Sequence, residues 1–128
     1  MDSRSEQQLE STLTARYGRP VKVAQRLDDQ ICIVFEPAQD RGRVELAVAG
    51  AGAGWIVSDR GATSKLYGLD IDFVISKLAA FDGSLVRRDN EIITVSDGRS
   101  LAETIAEFVD SIEFVPVLAG LFANDIAA

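Results

Sequence analysis

Apolar residues near the start of the chain recur at helical spacing, with Leu9 and Leu13 four apart and Tyr17 a further turn on. That stripe predicts a helix running to about Tyr17, opened by one of two capping pairs, Ser3 with Glu6 or Ser5 with Gln8. Gly18 and Pro20 stop it, since neither continues a helix well. From Val21 the period falls to two: Val21 and Val23 face one way, Lys22 and Arg26 the other, as on a half-exposed strand. Asp28-Asp29 turns the chain into residues 31–35, apolar on both faces as a central strand would be. The Gln39-Asp40-Arg41-Gly42 loop leads to a third strand, in which Val44, Leu46 and Val48 alternate with Glu45 and smaller residues. The glycine-rich residues 50–54 read as a flexible connection to a fourth strand, 55–58, which ends at Asp59-Arg60-Gly61.

The chain then turns helical. Leu69 and Val74 flank Asp70 as a hydrophobic staple flanks a cap, and Ile71, Val74, Ile75, Leu78 and Phe81 continue one apolar face until Gly83. Residues 85–88 and 91–95 form a hairpin about Asp89-Asn90 that sets Arg88 opposite Glu91, so the register is favoured by opposite charge. After Asp97-Gly98, a capping box at Ser100 and Glu103 opens a closing helix with a seam of Leu101, Ile105, Phe108, Ile112 and Val115. Pro116 is expected to kink or interrupt that helix before the apolar stripe resumes. The order α-β-β-β-β-α-α-β-β-α predicts one α+β domain over residues 1–128, with a largely antiparallel sheet flanked by helices.

At 128 residues and 47% hydrophobic, such a chain buries a core without metals or cross-links. Its formal charge of −7 argues against direct nucleic-acid binding, which draws affinity from Lys and Arg displacing counterions; the adjacent pair Arg87-Arg88 belongs to the hairpin. With no histidine, zinc sites and Ser-His or Cys-His nucleophiles are excluded, and no cofactor is expected. Cys32 is alone in an apolar run and reads as a buried thiol in a reducing compartment. The polar residues 1–7 lack the apolar core of a secretory signal, and no apolar run is long enough to span a membrane, so the expected place is the cytoplasm.

Four features invite function. Residues 50–54 have the glycines of a phosphate loop but are followed by a strand with Trp55, where that chemistry needs a helix. Asp59, Arg60, Gly61 and Thr63 sit where a strand hands over to a helix: either Asp59 caps the helix and Gly61 eases the turn, or the turn is a docking or ligand surface. If Asp59 met Asp70 or Asp72, the pair could recruit Mg²⁺ for hydrolysis. Glu103, Glu107, Asp110 and Glu113 recur at helical intervals in a stretch of 29 residues with five acids and no Lys or Arg. That series is a solvated face or an acidic docking face imitating nucleic-acid charge. Finally, Phe114, Val117, Leu118, Leu121 and Phe122 either finish the core or form a dimer seam.

The run from Gly54 through Trp55, Ser58, Asp59, Gly61 and Thr63, with the later Leu66, Gly68-Leu69-Asp70-Ile71 and Glu91-Ile92-Ile93, resembles the bacterial and phage domain-of-unknown-function family 1828. The resemblance covers roughly residues 31–115. Ser58 stands where that family often has Thr, Arg60 where an acid is common, and the last dozen residues have no counterpart. It implies prokaryotic or mobile-element origin and carries over no catalytic residue. The combined expectation is a non-enzymatic protein-binding module, homodimeric through the closing helix. Two alternatives stand beside it: an acidic inhibitor of a host nucleic-acid-handling machine, and a partner-binding protein laid out like a secretion chaperone.

Overall fold

The computed structural model describes residues 3–27, 30–37, 42–52, 54–80, 83–96 and 100–121. The expected turns at Asp28-Asp29 and Asp97-Gly98, most of the loop at 39–42, Phe81 and Phe122 lie outside the described residues. In chain order the elements are α1 (Ser3–Tyr17), β1 (Val21–Leu27), β2 (Gln30–Phe35), β3 (Val44–Ala51), β4 (Gly54–Ser58), α2 (Ala62–Tyr67), α3 (Ile71–Leu78), β5 (Val86–Arg88), β6 (Glu91–Ser96) and α4 (Leu101–Leu121). This is the expected α+β order. The strands form one antiparallel sheet, β1-β2-β3-β4-β6-β5, a four-strand meander to which the β5–β6 hairpin adds beside β4.

Cross-strand register sorts the side chains into two faces. Ile31 pairs with Val48, Ile33 with Leu46 and Val48 with Val57, so these residues share a face. All of them join one core cluster with Leu13 of α1, Val74 and Leu78 of α3, and Ile105 and Phe108 of α4. The helices therefore pack on that face. Burial of each such side chain contributes about 1.5–3 kcal/mol, which is why the helical stripes and the strand alternation agree on one layer. Cys32 pairs with Ala47 on the other face and is half-buried, which corrects the expectation of a buried thiol: period-two geometry turns it away from the helices.

Several local expectations also change. Between Val23 and Arg26 the register with β2 slips by one residue, an irregularity the even alternation expected from Val21 onward does not contain. The expected flexible connection at 50–54 is partly ladder: Gly50 pairs with Trp55 and Ala51 with Gly54, and Gly52 takes φ +59°. Helix α3 ends at Leu78 with Ala79 as its C-cap, before Gly83, and Asp70 stands at its N-cap without a side-chain hydrogen bond. Pro116 does not interrupt α4, which runs 21 residues through it. The proline is exposed, and its lack of an N–H leaves the carbonyl of Ile112 without its usual helical donor.

Candidate functional site

The Asp59 turn is built around one buried carboxylate. Oδ1 accepts from the amides of Gly61 at 2.8 Å and Ile92 at 2.9 Å, and Oδ2 from that of Thr63 at 3.2 Å. The Asp59 amide in turn donates to the Ile92 carbonyl at 3.1 Å, extending the β4–β6 ladder one residue past the strand. Asp59 thus both caps α2 and fastens it to the sheet. Arg60 and Gly61 take positive φ, 57° and 79°, to make the turn. A Cβ on Gly61 would lie 3.3 Å from the Asn90 carbonyl oxygen, so glycine is required there on both conformational and steric grounds. Its neighbour Ser58 accepts from the Arg60 amide at 2.9 Å and donates to Glu91 Oε1 at 2.6 Å. That bond, helped by Arg88 and Arg60 against the opposing effect of burial, holds the Glu91 carboxyl below its ordinary range. Arg88 also pairs with Glu91 at 3.4 Å, in the register foreseen. The exposed Arg60 guanidinium reaches across to Cys32 Sγ at 3.6 Å.

The conditional pairing of Asp59 with Asp70 or Asp72 gains no support from these contacts. Asp59 is enclosed by amides, while Asp72 binds Arg87 of β5 at 2.9 Å. Among the described residues no group of three potential metal ligands gathers.

The acidic series on α4 divides. Glu103, Glu107 and Asp110 are exposed, but Asp110 Oδ1 lies 3.2 Å from the Tyr17 hydroxyl, which also lies 2.8 Å from the Ala106 carbonyl. Burial, and then the charge of Asp110, raise the Tyr17 pKa above its ordinary 10.0. Glu113 faces Arg19 at 3.4 Å, and that arginine is buried, with its guanidinium 5.3 Å from the centre of the Phe35 ring. The series is therefore not a row of four projecting carboxylates: two of its members tie α4 back to α1 and the loop after it. Only the first half of the capping box forms as drawn, with Ser100 Oγ accepting from the Glu103 amide at 3.1 Å.

The apolar tail divides too. Leu118 is buried in the core and Phe114 packs partly against it, while Val117 and Leu121 are exposed. Leu118 is thereby removed from the candidate dimer surface.

A groove joins these features. Residues of α2, of α4 and of the start of β3 line a cavity of about 510 Å³. Its apolar walls include Leu66, Tyr67, Phe114 and Val117; Leu121 follows one turn beyond Val117 on α4. Leu66 is 71% exposed, Leu121 69%, Val117 48% and Tyr67 39%, an unusual concentration of large apolar side chains in water for one locality. Glu45, Asp59, Asp110 and Glu113 also line the cavity, and each is engaged: Glu45 by Arg43 at 3.0 Å, Glu113 by the buried Arg19, Asp59 by three amides and Asp110 by the Tyr17 hydroxyl. Thr63 lines it as well, and its buried Oγ1 has no hydrogen-bond partner among the described residues.

Sequence reasoning did not single out Arg19 or Tyr67, and met Leu66 only within a motif. α2 spans six residues between glycines of positive φ, Gly61 and Gly68, too few to show a periodic stripe. No family model matches this chain, and neither a curated protein nor a solved structure matches it. No helix is long and apolar enough to cross a membrane, among the described residues.

Proposed function

We propose that this protein is a non-enzymatic protein-binding module whose α2/α4 groove receives an apolar segment of a partner protein. The observation that carries this reading is the gathering of Leu66, Tyr67 and Val117, all exposed, around one cavity, with the exposed Leu121 one turn beyond Val117 on α4. On the same helix Leu118 and Val115 are buried, and the other exposed large apolar side chains among the described residues are Val86 and Val95, on β5 and β6. A partner segment closing over these side chains removes their surface from water, the usual source of docking affinity. A second copy is a poorer occupant than a different protein, because two-fold pairing would bring the same acid-lined wall against itself. The implied prokaryotic or phage origin makes such a host the first place to seek the partner.

The test is affinity capture from a prokaryotic host with the wild type and with a Val117→Asp/Leu121→Asp variant, after thermal melting has shown that the variant folds. A protein retained by the first and lost from the second is expected. Retention of the same set by both would overturn the reading. Sedimentation of both proteins at micromolar concentration runs alongside: a wild-type dimer abolished by the same two changes would assign the groove to a second copy instead.

A further inference from the structure

The two ends of the sheet are closed by different means. β5, at one end, is three exposed residues with two arginines, short and charged enough to discourage edge pairing. β1, at the other, is seven residues long and begins Val21-Lys22-Val23, so its edge is the larger template for another strand. Which of its groups face outward follows from the register. The Glu36 amide donates to the Pro20 carbonyl at 3.0 Å, and bonded pairs alternate with unbonded ones along an antiparallel ladder. Lys22, opposite Val34, therefore bonds inward, while Val21 opposite Phe35 and Val23 opposite Ile33 turn their amides and carbonyls away from β2. Side chains of α1 meet these outward groups. Glu10 Oε1 accepts from the Val23 amide at 2.8 Å. Thr14 Oγ1 accepts from the Val21 amide at 3.3 Å and donates to the Val21 carbonyl at 3.4 Å. The match is one of spacing: four residues of helix advance about 6 Å and two of a strand about 6.8 Å, so side chains one turn apart on α1 reach strand positions two apart, in reverse order. Leu9 and Leu13, each one position earlier, are buried in the core and fix the helix over the edge.

We infer that Glu10 and Thr14 stand in for a neighbouring strand, and that the contact they block is β1 of a second copy. Two copies of one strand pair antiparallel about a two-fold axis, which offers each outward amide of Val21 or Val23 an outward carbonyl of the other chain. A carboxylate and a hydroxyl from α1 fill the same positions within one chain, without the cost of bringing two chains together. α1 is thus a guard that keeps an open sheet from lengthening edge to edge.

Glu10→Ala/Thr14→Val removes the two oxygens and spares Leu9 and Leu13, whereas Glu10→Gln/Thr14→Ser keeps both oxygens. In dilute solution, amide exchange at Val21 and Val23, measured against Ile33 inside the sheet, is expected to quicken at least about tenfold in the first variant and hardly at all in the second. At rising micromolar concentration, sedimentation is expected to show the first variant associating beyond the wild type, with the Val23 amide protected again in the associated form. No added association, or association that leaves Val23 unprotected, overturns the inference, as does equal association by the variant that keeps the oxygens. Glu10→Ala alone takes the same measurements where the pair fails to fold. In the wild type itself, a Val23 amide exchanging as fast as an unbonded one overturns the guard without any variant.

Discussion

Replacing Asp59 with alanine removes the acceptor for three backbone amides at once, those of Gly61, Ile92 and Thr63, at 2.8, 2.9 and 3.2 Å. The residue is buried, so water does not replace the carboxylate without opening the turn. A hydrogen bond to a charged acceptor contributes about 1.5–3 kcal/mol, and a buried donor left unpaired costs about 1–3 kcal/mol. Three bonds to one side chain share its relaxation and do not add in full, which brings the expected loss for Asp59→Ala to about 4 kcal/mol. Asp59→Asn keeps Oδ1 for two amides but turns an NH₂ toward the Thr63 amide, for a loss of about 2 kcal/mol. Against a typical domain stability of about 5–15 kcal/mol, alanine leaves the fold near its limit. Urea unfolding followed by far-ultraviolet circular dichroism reads both values, with an unchanged slope as the control. Amide exchange should also quicken at Ile92, Gly61 and Thr63 ahead of the rest of the sheet. A loss below about 1 kcal/mol for alanine would refute the cap as the reason for this residue. Partner capture abolished by Asp59→Asn without destabilisation would move Asp59 into the docking surface.

Two pH responses follow from the shifted groups. The Tyr17 pKa is raised above 10.0, by burial and then by Asp110, so the folded state keeps the phenol proton where the unfolded chain releases it. Its contribution is complete below pH 10 and is lost as pH rises beyond it; Tyr17→Phe is expected to flatten that alkaline fall in denaturation midpoints. The Glu91 carboxyl is lowered, chiefly by the Ser58 hydroxyl, so its contribution is present above the ordinary carboxyl range and is lost as pH falls through the folded value. Ser58→Ala should move the Glu91 titration, followed by carboxyl carbon resonances, upward toward the ordinary range; no movement would place the cause elsewhere.

The fold was legible because its signals are local. The change from helical to alternating periodicity at Val21, the Gly18 and Asp89-Asn90 turns, and the Arg88–Glu91 match each need only a few neighbouring residues. The site was less legible because its contacts are remote. Glu113 reads in sequence as one more acid at a helical interval, and its partner Arg19 lies 94 positions away. Nothing local distinguishes that buried arginine from a surface one. Pro116 misled for a related reason: a proline in an apolar helix predicts a break, yet at this exposed position α4 runs through it.

One sign of the groove is nevertheless present in the sequence. A helix lying on a sheet needs one apolar stripe, and Val115 with Leu118 already supplies it at the end of α4. Val117 and Leu121 lie four apart, so they stand one above the other on a neighbouring stripe that the sheet does not cover. The apolar arc of α4 is thus wider than its own core contact requires, and α2 supplies Leu66 and Tyr67 opposite the surplus. Width beyond one packing face is a pattern that core packing alone does not demand.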